Sequence, residues 1–187
     1  MVLITFVEII KLAITSLALG IIFMGLFSRK PKNVYDMMHK KRFKWEDLRF
    51  AIIIAAPAVV LHELAHKFVA MGFGYTASFE IFYWGLGIGL LLRLFNSPFL
   101  IIAPGYVTIG QAALSNPLAY KLIAFAGPLI NLVLWFVAFI IIKTKREELS
   151  HGALSFWLMT RNINLMLFIF NMIPFGPFDG AKVFFGP

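Results

Sequence analysis

The sequence predicts an α-helical integral membrane protein, with about four transmembrane helices and a small β-hairpin or re-entrant β-loop between the second and third. Three observations predict it. The 187 residues are 60% hydrophobic and 14% charged, against about half and about a quarter in soluble domains. Four apolar segments each approach the ~20 residues that a bilayer-spanning helix needs. Between the second and third of them, GYTASFEIFYW alternates, with Thr76, Ser78 and Glu80 on one face and Ala77, Phe79 and Ile81 on the other, which is a strand pattern.

The first segment covers roughly residues 3–27. It lacks a basic leading region and a small-residue cleavage site, so it reads as a retained anchor. Glu8 and Lys11 lie three apart and are expected to pair on one helix face. A basic loop follows over residues 29–49, holding eight of the seventeen Lys and Arg against Asp36, Glu46 and Asp47. Most of the net charge of +8 therefore sits in one loop, and lipid headgroups suit it better than nucleic acid does. The chain has no cysteine, which excludes disulfides and thiolate metal sites.

The second segment, roughly 50–72, carries Pro57, which is expected to kink the helix just ahead of His62. Its Lys67 reads as a cation snorkelling at the helix end. Residues 74–116 then hold the strand pattern, Gly85, Gly87 and Gly89, and a β-branched stretch broken by Pro104 and Gly105. Two or more strands are expected there, with a short helix over 84–95 as the competing reading. Open strands cannot face lipid, so this segment must pack on protein or line an aqueous cavity. The third and fourth segments run over roughly 118–142 and 154–173. With no long polar linker, residues 1–187 read as a single membrane domain. It comprises an N-terminal transmembrane helix (1–28), the basic loop (29–49) and a core (50–187).

The chemistry centres on HELAH, residues 62–66. Histidines at i and i+4 project from one helix face, so His62 and His66 can reach a single zinc ion. Glu63 then flanks the metal as a base for metal-bound water. Unpaired ionisable groups at mid-membrane cost about 2.5–3.5 kcal/mol each on insertion scales, which argues against an accidental cluster. A hydrolytic zinc needs a third protein ligand. Glu80 and Asp179 are the candidates, the second lying in NMIPFGPFDG, where Pro174 and Pro177 break the helix.

HELAH on a membrane helix, AGPLINL at 126–132 and FNMIPFGPFDG at 170–180 together resemble the site-2 protease family of intramembrane zinc metalloproteases. APGYV at 103–107 resembles the end of the β-loop that this family carries. The resemblance covers roughly residues 50–182. It implies one Zn2+ per chain held by His62, His66 and Asp179, with Glu63 as the catalytic base. Asn131 and Asn171 match family asparagines, whose role is either interhelical hydrogen bonding or holding the substrate backbone or oxyanion. Ala65 stands where glycine is common in the family, and Phe178 where leucine is.

The expected activity is hydrolysis of peptide bonds within or beside a transmembrane helix of a membrane-protein substrate. A membrane metal transporter or sensor, and a catalytically silent adaptor, are the alternatives. The partners expected are that substrate and the bilayer, with no nucleic acid. The helix order puts loops 29–49 and 143–153 on one side. The positive-inside rule would make that side cytosolic, whereas the family orientation puts the active site toward the cytosol, and the latter is the reading adopted.

Overall fold

A computed structural model describes residues 3–27, 44–95, 97 and 104–187. Most of the basic loop, with His39, lies outside the described residues. The elements in chain order are α1 (Phe6–Phe27), α2 (Trp45–Gly72), β1 (Ala77–Ile81), α3 (Tyr83–Leu94), β2 (Gly105–Ile109), a 3-10 turn (Gln111–Ser115), α4 (Pro117–Lys145), α5 (His151–Asn171) and α6 (Asp179–Phe185). Helices α1, α2, α4 and α5 are each long and apolar enough to cross a membrane, which makes this a multi-pass membrane protein.

The core forms where α1 lies on α2. Leu19, Ile22 and Phe23 of α1 meet Leu48, Ala51, Ile54, Ala55 and Ala58 of α2. Small alanines on α2 allow the close approach that drives helix association in lipid. Helix α4 packs between α2 and α5, and α6 docks against α4. Pro57 sits inside a continuous α2.

The strands expected between the second and third long helices pair antiparallel, Ala77 opposite Ile109 and Ile81 opposite Gly105. They are not joined by a turn, however. The glycine-rich stretch between them is α3, so the competing short-helix reading holds alongside the strands. Gly85, Leu86 and Gly89 form its buried face, and α3 packs on α1. Glycines four apart let two helices approach closely, so here glycine favours a packed helix over a loop.

Two expectations about charge are corrected. Glu8 and Lys11 do not pair with each other, and Lys67 does not snorkel. Lys67 Nζ donates instead to Glu8 Oε1, with both residues at least 97% buried. Glu8 Oε1 also accepts the Phe79 N–H at 2.9 Å. Lys11 donates to Glu80 Oε2 at 2.6 Å and to the Phe79 carbonyl at 3.4 Å. The physical reason is tertiary. The N-terminal end of α1 abuts β1 and the last turns of α2, so each charge meets an opposite charge from another element there.

Local sequence helps to fix that arrangement. Thr5 accepts the Glu8 N–H at 3.2 Å while Glu8 Oε2 accepts the Thr5 N–H at 2.8 Å, a reciprocal capping box. The cap and the ion pair thus share one glutamate. Removing one partner of a buried pair strands the other charge, at a cost of about 3–5 kcal/mol. Lys67→Met should therefore lower unfolding stability in detergent by that order, and adding Glu8→Leu should recover most of the loss. A single variant within about 1 kcal/mol of wild type would contradict the role given to this pair.

Candidate metal centre

Helix α2 presents His62 and His66 one turn apart, both buried. Their Nε2 atoms lie 3.1 Å from each other. Asp179, the first residue of α6, brings its Oδ2 to 3.1 Å from each of them. Glycine permits this approach: a Cβ on Gly180 would come within 2.6 Å of the Met172 and Ile173 carbonyl oxygens at the end of α5. The broken helix at Pro174 and Pro177 therefore returns a carboxylate to a site more than a hundred residues upstream.

The tautomers of both histidines follow from their other ring nitrogens. His62 Nδ1 stands 2.6 Å from Asn131 Oδ1, and His66 Nδ1 stands 2.7 Å from the Ile123 carbonyl oxygen. Asn131 has its amide orientation fixed, because its Nδ2 donates to the Ala58 carbonyl at 3.0 Å and to Asn164 Oδ1 at 2.8 Å. Asn164 in turn donates to the Thr160 carbonyl at 2.8 Å. Both histidines thus face pure acceptors at Nδ1, and both must carry their proton there.

In the neutral rings, two bare Nε2 lone pairs and a carboxylate oxygen then converge with no proton among them. Such a set repels itself unless a cation sits at its focus. Ligands about 2.0–2.1 Å from a tetrahedral zinc stand about 3.3 Å apart, close to the separations found. Helix α4 leaves the space. A Cβ on Gly127 would lie 2.6 Å from His62 Nε2 and closer still to His66 Nε2. His62, His66 and Asp179 are the one group among the described residues able to hold a metal in this way. The donor set fits zinc.

Burial acts to raise the Asp179 carboxyl, and against it Lys182 Nζ, donating to Oδ1 at 3.0 Å, favours the ionised form that a metal ligand needs. Glu63 is buried beside the histidines, and its carboxylate makes no hydrogen bond to any described residue. It lines, with the three metal candidates, a cavity of about 330 Å3 that the β2 strand also lines.

The remaining sequence candidates separate clearly. Glu80 is engaged by Lys11 and takes no part in the metal group. Asn131 has its carbonyl and both amide protons committed to α2 and α5, so it occupies the interhelical role and has no donor left for an oxyanion. Asn171 lines the cavity, and its Nδ2 donates to the Leu167 carbonyl of its own helix at 3.0 Å. Asn164, the Ile123 carbonyl and Lys182 could not be anticipated, since no local sequence pattern marks them. Gly127 and Asn131 both stood in the AGPLINL motif, four residues apart on the face that meets α2.

No protein-family model matches the chain, and no solved structure does. Two curated proteins do. "Putative zinc metalloprotease MJ0611" of Methanocaldococcus jannaschii is 40% identical over 136 residues, covering 71% of this chain and 68% of that protein. "Putative zinc metalloprotease YwhC" of Bacillus subtilis is 28% identical over 150 residues, covering 72% and 67%. Alanine is the better helix former by about 1 kcal/mol, so Gly127→Ala should leave α4 intact while expelling the metal. The purified variant is expected to lose at least about 10-fold in zinc affinity; unchanged zinc content under chelator competition would refute this placement of the metal.

Proposed function

The chain belongs to the same family as its Methanocaldococcus jannaschii relative, which bears the name "Putative zinc metalloprotease MJ0611", and on that premise we propose that it is an intramembrane zinc endopeptidase of the site-2 protease kind. Its substrates would be membrane proteins cleaved within or beside a transmembrane helix. The observation that carries the reading is the convergence of His62, His66 and Asp179 beside an unpartnered Glu63, on helices long enough to span a bilayer.

His62, His66 and Asp179 would hold the zinc, leaving a coordination position for water. Zinc, when bound, supplies Lewis acidity that acidifies water and polarises a carbonyl. Glu63 accepts a proton from the attacking water and returns it to the leaving amine nitrogen. That Glu63 lies outside the converging ligand set, with no partner of its own, favours a base over a fourth ligand. A transporter site would use it as a ligand. Asn131 orients His62, and the Ile123 carbonyl orients His66, so neither ring needs to turn during the reaction.

A helical substrate hides its amides and must be extended before it is cut. The register of the small sheet supports a place for it. Phe82 N–H bonds the Pro104 carbonyl, and Gly110 N–H bonds the Thr76 carbonyl. Alternate residues therefore face outward, and the main-chain groups of Gly105, Val107 and Ile109 point away from β1. Among the described residues none pairs with them, and all three line the metal cavity. An extended substrate segment can add to that edge as a third strand. The opposite edge of the sheet is closed by Glu8 and Lys11 on Phe79, which leaves one edge available.

Glu63→Gln removes the base and keeps the ligands. The variant should bind zinc at one ion per chain yet cut a reconstituted transmembrane substrate at least about 100-fold more slowly than wild type. Cleavage at the wild-type rate would exclude Glu63 as the base.

A further inference from the structure

We infer that Lys182 is a positioning residue that holds Asp179 to a single metal-binding oxygen and so keeps one coordination position open for water. The inference rests on the zinc reading above. The two carboxylate oxygens of Asp179 have different neighbours. Oδ2 faces both imidazoles at 3.1 Å, whereas Oδ1 accepts a hydrogen bond from Lys182 Nζ at 3.0 Å. Lys182 is three residues on from Asp179 in α6, a spacing that puts both side chains on one helix face.

The surroundings make this contact unequal to an ordinary surface pair. Asp179 is only 9% exposed at its side chain, while Lys182 is 44% exposed. The ammonium keeps part of its water and reaches inward to a buried oxygen, so the bond is charge-assisted at little desolvation cost. Lys182 also lines the cavity shared with Glu63. Two other cations near the buried charges are engaged elsewhere, Lys67 with Glu8 and Lys11 with Glu80.

A carboxylate free to turn can offer a cation one oxygen or two. Zinc tolerates five ligands as well as four, so a second Asp179 oxygen would take the place hydrolysis needs for water. An ammonium on Oδ1 competes with the metal for that oxygen and keeps the carboxylate monodentate. Partners of metal ligands commonly change affinity or activity by about 10–100-fold when removed.

The test uses the full chain in detergent with cobalt(II) in place of zinc, together with zinc affinity measured by chelator competition. Wild type and Lys182→Arg are expected to give the intense visible bands of a four-coordinate ion. Lys182→Met, which removes the ammonium competing for Oδ1, should give the weaker bands of higher coordination and zinc binding tighter than wild type. Lys182→Gln, uncharged but still a donor, should fall between them and serves if the methionine variant does not fold. Thermal unfolding of the metal-free chains checks that any change lies at the metal. A neutral variant matching wild type in both spectrum and affinity would overturn the clamp and leave the zinc site standing. A wild-type chain that takes up neither metal would overturn the zinc reading itself.

Discussion

The rest of the site depends on one constraint: each of two neighbouring histidines has its Nδ1 proton committed to a carbonyl oxygen. With Asn131 Oδ1 on His62 and the Ile123 carbonyl on His66, both Nε2 lone pairs must point at a common focus. Asp179 adds a third acceptor there. Inside a membrane protein, where the local dielectric is low, such convergence is costly without a cation. The arrangement is therefore a candidate metal site by the chemistry of its donors before any relative is considered.

Helix α4 does most of the arranging. Gly127 gives it room to lie against the imidazoles, Ile123 and Asn131 lock them, and the spacing of four between successive members keeps all three on one face. Asn131 continues through Asn164 to α5, so the ring orientation of His62 is tied to the packing of three helices. Helix α1 acts from the other side. Its Glu8 reaches Lys67, next in sequence to His66, and also closes one edge of the sheet through Phe79. The free edge of the sheet and the helix that carries His62 and His66 are thereby held in one frame.

Much of this was legible in the sequence, for identifiable reasons. Four apolar segments announce four long helices because bilayer thickness fixes their length. HELAH announces a paired imidazole face because helical periodicity fixes the i and i+4 geometry. Asp179 was less legible: its spacing only modestly favours it over Glu80, and the family resemblance is what singled it out. The misreadings share one origin. Local rules paired Glu8 with Lys11 and sent Lys67 to the interface, because partners 59 and 69 residues away leave no local trace. Gly85, Gly87 and Gly89 suggested a loop, whereas Gly85 and Gly89 are the packing face of α3 on α1. Lys182 was invisible because a single lysine beside Asp-Gly carries no signal until the carboxylate is seen to have two unlike oxygens.

On the proposed function, these three side chains form a four-coordinate zinc site with one position left for water. X-ray absorption at the zinc edge of the purified chain tests it most directly. The expected result is one zinc per chain, with four nitrogen or oxygen neighbours at about 2.0–2.2 Å and outer-shell scattering from two imidazoles. A zinc showing one imidazole or none, or six oxygen neighbours, would contradict it.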